Sequence, residues 1–163
     1  MNKDQSIEDY DSAEFNNFEM HEIDKGFEKG LTIEQIQIYA NPKFNGFQMF
    51  QIREGFEHGL TIEQAQFYAD SKFNHIQMFE IRYGIEQGLT IEEIKLYATS
   101  EFNEEQMHQI RLGFEDGLTI EEIKLYANSK FSGKKMEKLR EFIINNKNTS
   151  INTLKFLIRL EVL

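Results

Sequence analysis

The chain repeats one phrase of 29 residues four times, and this repetition limits its possible folds more than any other feature. Each copy reads F-N-x-x-[QE]-M-x-x-I-[RD]-x-G-[FI]-E-x-G-L-T-I-E-[QE]-[IA]-x-x-Y-A, and the copies span 15–43, 44–72, 73–101 and 102–130. A period of roughly 20 to 50 residues is typical of supersecondary units that stack on one another and share a continuous core. The sequence therefore predicts a repeat protein.

The second copy shows why each unit should be a pair of helices. Asn45 and Thr61 are good N-cap residues, and each has a glutamine three residues later, Gln48 and Gln64, which completes a capping box. Gly59 suits the position that ends the first helix, because glycine adopts the left-handed conformation without a Cβ penalty. Each unit is thus predicted to be a helical hairpin, with a first helix of about 13 residues and a second of about 8 to 10.

The two ends of the chain depart from the repeat. Residues 1–14 are acidic and show no apolar period, so we expect a flexible tail ahead of the four repeats in 15–130. Residues 131–163 keep Met136 and Arg140 of the phrase but lose its GLT part, which predicts a degenerate fifth repeat and a C-terminal capping helix. The predicted fold class is all-α: a right-handed α-solenoid of four helical hairpins with a degenerate capping repeat.

Charge and composition exclude several classes of protein. The formal net charge of -10 is uneven, because residues 1–130 carry 11 Lys and Arg against 25 Asp and Glu, whereas residues 131–163 carry 7 against 3. An acidic body disfavours direct binding to nucleic-acid phosphates. There is no cysteine, no signal-peptide pattern and no apolar run near the roughly 18 residues of a membrane span. We therefore expect a cytoplasmic protein that binds neither nucleic acid nor membranes directly.

The repeat phrase resembles the short helical tandem repeats of the form QMxxIRxGxExGLTIExxxxYA that occur in uncharacterised proteins of Gram-positive bacteria and their mobile elements. The resemblance covers residues 15–130 and implies a fold without implying an activity. In architecture the chain is also similar to tetratricopeptide and ankyrin arrays, whose usual work is protein binding. That likeness favours an interaction protein by analogy alone.

No pattern in the sequence indicates catalysis or metal binding. The four histidines do not fall at a metal-ligand spacing; they are His21, His58, His75 and His108. The acidic phrase around Gly117 has the wrong register for a calcium loop. We therefore predict a non-enzymatic protein with no cofactor, no metal and no catalytic residue.

Charged pairs also recur along the first helices, where Arg53 and Glu57 are four residues apart. The same spacing joins Arg82 to Glu86, and Arg111 to Glu115. Pairs at this spacing form a row of ion pairs along a helix, each a weak stabiliser of about 0.3 to 0.5 kcal/mol if exposed.

The positions that vary between copies indicate a candidate binding surface. Met49, Ile52 and Phe56 share one side of the first helix, and the variable positions lie roughly opposite. The predicted partner-binding residues on this variable face are Phe18, Phe47, Phe50, Ile76, Phe79, Tyr83, His108 and Leu112. The alternative is that the face is buried between adjacent first helices.

The leading hypothesis is a protein–protein interaction module that holds a polypeptide with a basic or apolar patch along its row of first helices. A narrower version is an inhibitor of a host or defence nucleic-acid-binding protein. One alternative is a small-molecule or nucleotide-binding protein whose pocket is lined by Tyr39, Tyr68, Tyr97 and Tyr126, although these tyrosines are more simply read as packing between repeats. The other alternative is a structural homo-oligomer.

Overall fold

The computed structural model describes residues 14–161, and within that range it contains ten α-helices and no strand. In chain order they are α1 Asn17–Glu28, α2 Ile33–Tyr39, α3 Gly46–Glu57, α4 Ile62–Ala65, α5 His75–Glu86, α6 Ile91–Tyr97, α7 Glu104–Glu115, α8 Ile120–Ile123, α9 Gly133–Asn145 and α10 Ile151–Glu161. The all-α prediction is confirmed for this range. The acidic tail was predicted for residues 1–14, and residues 1–13 of it lie outside the described residues.

The chain divides into two compact units, residues 1–86 and 87–163, and the boundary falls within the third copy of the repeat. In the first unit α3 is central: it contacts the first helices α1 and α5 of the neighbouring copies and the short helices α2 and α4. In the second unit α7 has the equivalent place and contacts α6, α8 and α9. First helices therefore pack on first helices within each unit.

The predicted helix ends are confirmed in detail. The side chain of Asn45 accepts the Gln48 N–H at 3.1 Å, and the Gln48 side chain accepts the Asn45 N–H at 2.9 Å. At the other end of α3, Gly59 has a φ of 87°. The N–H of Leu60 donates to the carbonyl of Gly55 at 2.9 Å, which closes the Schellman motif that ends the helix.

The first helices α1, α3, α5 and α7 have 12 residues each, close to the expected length, but the second helices are shorter than predicted. They have seven residues in α2 and α6 and four in α4 and α8. After α4 the N–H groups of Phe67 and Tyr68 donate to carbonyls three residues back, on Gln64 and Ala65. These shorter-range bonds form a 3₁₀ turn, so the regular α-helix ends before Tyr68.

The four tyrosines of the repeat are among the largest fully buried side chains: Tyr39, Tyr68, Tyr97 and Tyr126. The Tyr39 hydroxyl donates to the carbonyl of Glu22 at 3.2 Å, and the Tyr126 hydroxyl donates to that of Gln109 at 3.1 Å. Both acceptors lie in the first helix of the tyrosine's own copy. The prediction of packing between repeats is therefore wrong for the hydroxyls of Tyr39 and Tyr126, which join the two helices of one hairpin.

The burial of these tyrosines bears on the pocket named in the small-molecule alternative. Their rings expose no surface, so they cannot line a cavity that a ligand reaches. Loss of hydration raises the pKa of the Tyr68 and Tyr126 hydroxyls, because burial disfavours the phenolate. Both hydroxyls stay protonated at physiological pH and act as neutral packing groups.

Candidate protein-binding surface

Large apolar side chains are exposed on the first turns of α1, α3 and α5 in the first unit. Phe18 is 39% exposed, Phe47 56% and Ile76 42%. The rings of Phe18 and Phe47 meet edge to face with centroids 5.1 Å apart, and Phe47 stacks on the His75 ring at 5.0 Å. We call these four residues, Phe18, Phe47, His75 and Ile76, the aromatic row.

Two features of the sequence position the aromatic row: the N-caps at the helix starts and one glycine, Gly46. Asn16 and Asn45 are N-caps, so Phe18 and Phe47 occupy the second position of α1 and α3. A Cβ atom added at Gly46 would overlap the Phe18 ring. The absence of a side chain at Gly46 therefore lets the Phe18 ring rest on the first turn of the neighbouring helix and reach Phe47.

The other predicted residues of the first unit are half-buried. The Phe50 ring centroid lies 5.3 Å from the guanidinium carbon of Arg53. Phe79 stacks on Tyr83 with centroids 5.6 Å apart, and it also lies 5.6 Å from the guanidinium carbon of Arg82. Phe50 and Phe79 therefore each cover a buried arginine while remaining partly exposed to solvent.

The last two predicted residues, His108 and Leu112, lie on α7 in the second unit and are also half-buried. His108 Nδ1 is 3.0 Å from an Nη atom of Arg111, so the imidazole is part of a local polar cluster. At the position equivalent to Phe47 this helix carries Glu105, which is exposed. The exposed apolar character of the first unit is therefore replaced by charge on α7.

Arg53 and Arg82 are buried, which corrects the expectation of weak pairs on an exposed face. Arg53 pairs with Glu57 in its own helix and donates through Nε to Glu22 of α1 at 2.8 Å. Arg82 donates to Glu86 at 2.7 Å and to Glu54 of α3 at 2.8 Å. These guanidinium groups join α3 to α1 and α5 to α3 within the first unit.

The connection from one first helix to the previous one spans 31 residues and was not found from the sequence. Arg82 also donates to Gln51, and in the second unit Arg140 donates to Gln109, with the same separation as Arg53 and Glu22. The signal was available, because an acceptor side chain recurs 31 residues before each of these arginines. Buried charges of this kind are tolerated because hydrogen bonds satisfy them.

Three more exposed apolar side chains were missed by the sequence reasoning. Ile91 is at the start of α6, and Phe156 and Leu160 are four residues apart on α10, 61% and 57% exposed. Leu154 and Ile158 of α10 are buried. The helical period that assigns Leu154 to the core assigns Phe156 and Leu160 to the opposite side, so this face could have been predicted.

Within residues 14–161 no group of three or more His, Asp or Glu side chains is arranged to hold a metal ion. The described helices also include none that is long and apolar enough to cross a membrane.

Neither a scan of protein-family models nor searches of curated proteins and of solved structures found a match to this chain.

Proposed function

We propose that the chain is a non-enzymatic interaction module that binds a polypeptide on the aromatic row of its first unit. The observation that carries the proposal is the exposure of Phe18, Phe47 and Ile76 side by side on three successive first helices. Single exposed apolar residues are common on protein surfaces, whereas adjacent ones mark contact sites. Aromatic side chains that are already held in place by stacking lose little conformational entropy when a partner covers them.

The charge of the same unit favours a partner with a basic as well as an apolar patch. Residues 1–86 carry 16 Asp and Glu against 7 Lys and Arg, a net charge of -9. Such a field raises the association rate of a positively charged partner and slows that of an acidic one. An inhibitor of a host or defence nucleic-acid-binding protein is the narrower form of this proposal, since the nucleic-acid site of such a protein is basic.

The proposal includes the right-handed α-solenoid of four hairpins with a degenerate capping repeat. It is supported within the first unit, where α3 packs between α1 and α5, and by the arginine bridges from Arg53 and Arg82 to the preceding first helix. A stacked array keeps successive first helices at a constant spacing, which suits it to hold an extended polypeptide. Small-angle X-ray scattering of the whole chain tests this part independently of any partner.

The binding test compares two double variants of equal chemistry. Phe47→Ser with Ile76→Ser removes the centre of the aromatic row, whereas Ile91→Ser with Phe156→Ser removes two apolar side chains of similar exposure in the second unit. Wild type and both variants are used to capture partners from the native host, and each captured partner is then titrated as a purified protein. We expect the first variant to lose at least tenfold in affinity, and the control to retain it.

Two control measurements test whether the variants are folded and whether the chain self-associates. Circular dichroism confirms that both variants fold, which is expected because substitutions at exposed positions seldom cost more than about 0.5 kcal/mol. Sedimentation velocity at several concentrations tests the homo-oligomer alternative, in which wild type self-associates and the first variant does not. Equal partner affinity for both variants would reject the aromatic row as the binding surface.

A further inference from the structure

The second unit contains a cavity of about 290 Å³ that the repeat pattern does not account for. It lies between the turn after α8, the start of the degenerate fifth repeat and the helix α10. Its lining residues are Lys124, Leu125, Phe131, Lys155, Ile158 and Arg159. These residues form a small apolar floor with a basic rim.

The cavity lies where the chain enters the degenerate fifth repeat. The phenylalanine that begins each regular copy is buried; these residues are Phe15, Phe44, Phe73 and Phe102. Phe131 begins the fifth copy and is only half-buried. The fifth copy has lost the GLT phrase, and α10 takes the place of the usual second helix. One face of the Phe131 ring is therefore open to the cavity.

Positive charge is concentrated around this opening. Lys124, Lys155 and Arg159 are exposed, and none of the three forms an ion pair with another residue of the range 14–161. The ammonium group of Lys135 lies 4.2 Å from the centroid of the Phe131 ring on the same segment. The chain as a whole has a net charge of -10, yet this concave site is lined by positively charged side chains. A cleft lined by charge of one sign attracts ions of the opposite sign, here anions.

We propose that this cavity binds a small organic anion, a carboxylate attached to a compact aromatic or aliphatic body. The apolar body contacts Leu125, Phe131 and Ile158, and the carboxylate lies between Lys155 and Arg159, whose guanidinium group donates two parallel hydrogen bonds. Ligand pockets run from roughly 300 to 1,000 Å³, so this volume selects a compact ligand. The site shares no residue with the aromatic row and does not depend on the function proposed for that row.

The ligand test uses 4-phenylbutyrate and its neutral isostere 4-phenylbutyramide, titrated into the full chain and followed by ¹H–¹⁵N NMR. We expect the carboxylate to shift resonances within 124–131 and 155–159 and to bind at least tenfold more tightly than the amide. Butyrate, which lacks the ring, should bind at least tenfold more weakly than 4-phenylbutyrate. Octanoate, titrated in parallel, distinguishes an aliphatic from an aromatic preference, and saturable binding of either in these segments supports the site.

Two matched double variants distinguish binding in the cavity from general attraction of an anion to positive charge. Lys155→Gln with Arg159→Gln should weaken 4-phenylbutyrate binding at least tenfold. Lys134→Gln with Lys138→Gln removes the same charge from exposed positions of α9 and should change the affinity less than twofold. Equal binding of the amide, equal losses in both variants, or resonance shifts confined to other segments would each overturn the proposal.

Discussion

Gly55 and Gly59 recur four residues apart in the repeat, and the structure gives them different physical roles. A Cβ atom added at Gly55 would overlap the hydroxyl of Tyr68, so this glycine leaves room for the tyrosine of the same hairpin. An added Cβ at Gly59 would meet no atom within 4 Å, but the residue has a φ of 87°. Gly55 is required by space and Gly59 by backbone conformation.

We predict that Gly55→Ala destabilises the chain by about 1 to 3 kcal/mol, because the new methyl group overpacks the contact with Tyr68. Adding Tyr68→Phe should recover most of that loss. The Tyr68 hydroxyl is buried without a hydrogen-bond partner, so its removal alone should cost little. Urea denaturation of the two single variants and the double variant measures the coupling, and additive losses would show that the hydroxyl does not occupy the space.

We predict that Gly59→Val destabilises by about 1 kcal/mol or more, because a β-branched residue is strained in the left-handed conformation. Gly59→Asn should cost less, since asparagine tolerates that conformation. An added Cβ atom meets no atom within 4 Å at this position, so we expect the difference to report mainly backbone conformation. Melting temperatures that are unchanged in the valine variant would show that the helix can end in another way.

At the scale of the helices, the glutamine at the third position of α3 and of α7 forms two kinds of hydrogen bond. The Gln48 side-chain oxygen accepts the Asn45 N–H, and its amide nitrogen donates to the carbonyl of Phe73 at 2.7 Å. In the second unit Gln106 repeats this with Asn103 and Phe131. One side chain thus caps its own helix and holds the start of the next copy.

The second helices have the same capping box, but within residues 14–161 the residue that closes it does not donate a hydrogen bond to the next copy. The Gln64 oxygen accepts the Thr61 N–H at 2.9 Å, and Glu93 and Glu122 do the same for Thr90 and Thr119. Glutamine and glutamate are therefore interchangeable at this position of the second helices. A carboxylate suits a helix N-terminus as well as an amide does.

Because of this difference, we predict that a Gln→Glu substitution lowers stability at position 48 but not at position 64. Gln48→Glu keeps the capping box but removes the donor to the Phe73 carbonyl, and it should cost about 1 to 3 kcal/mol. Gln64→Glu loses no such bond and should stay within about 0.5 kcal/mol of wild type. Urea denaturation followed by circular dichroism at pH 7 compares them. Equal stability of the two variants would mean that the contact with Phe73 does not stabilise the fold.

For the whole molecule, the sequence predicted local features better than contacts between copies. The caps and the stop at Gly59 follow from neighbouring residues, so one copy of the phrase was enough to find them. The bridge from Arg53 to Glu22 joins different copies, and a search for pairs within one helix assigned Arg53 to Glu57 alone. Contacts between copies depend on how helices pack, which helical spacing does not encode.

The candidate surface was predicted in part for the same reason. A helical period gives the direction of each side chain around its own axis but not the position of the neighbouring helix. Phe47 and Phe50 both point away from the core residues Met49 and Ile52, yet Phe47 is exposed and Phe50 is half-buried beside Arg53. The helical period alone therefore does not determine how exposed each of these two side chains is.

The C-terminal helix α10 bears most directly on how the second unit closes. The array has apolar side chains to cover at its end, because α9 buries Met136, Leu139 and Ile143. Leu154 of α10 is fully buried, whereas Phe156, two residues later, points to solvent. Terminal repeats with a polar outer face are required for the solubility of repeat proteins, and α10 meets this requirement only in part.

We predict that Leu154→Ala destabilises the chain by about 2 to 5 kcal/mol, because it leaves a cavity beneath the cap. Phe156→Ala removes a larger side chain from the same helix but should cost no more than about 0.5 kcal/mol, because that ring is already in water. Far-UV circular dichroism during urea denaturation measures both variants. If α10 closes the second unit, the smaller deletion is the more damaging one, whereas similar small losses would show that the helix is not a structural cap.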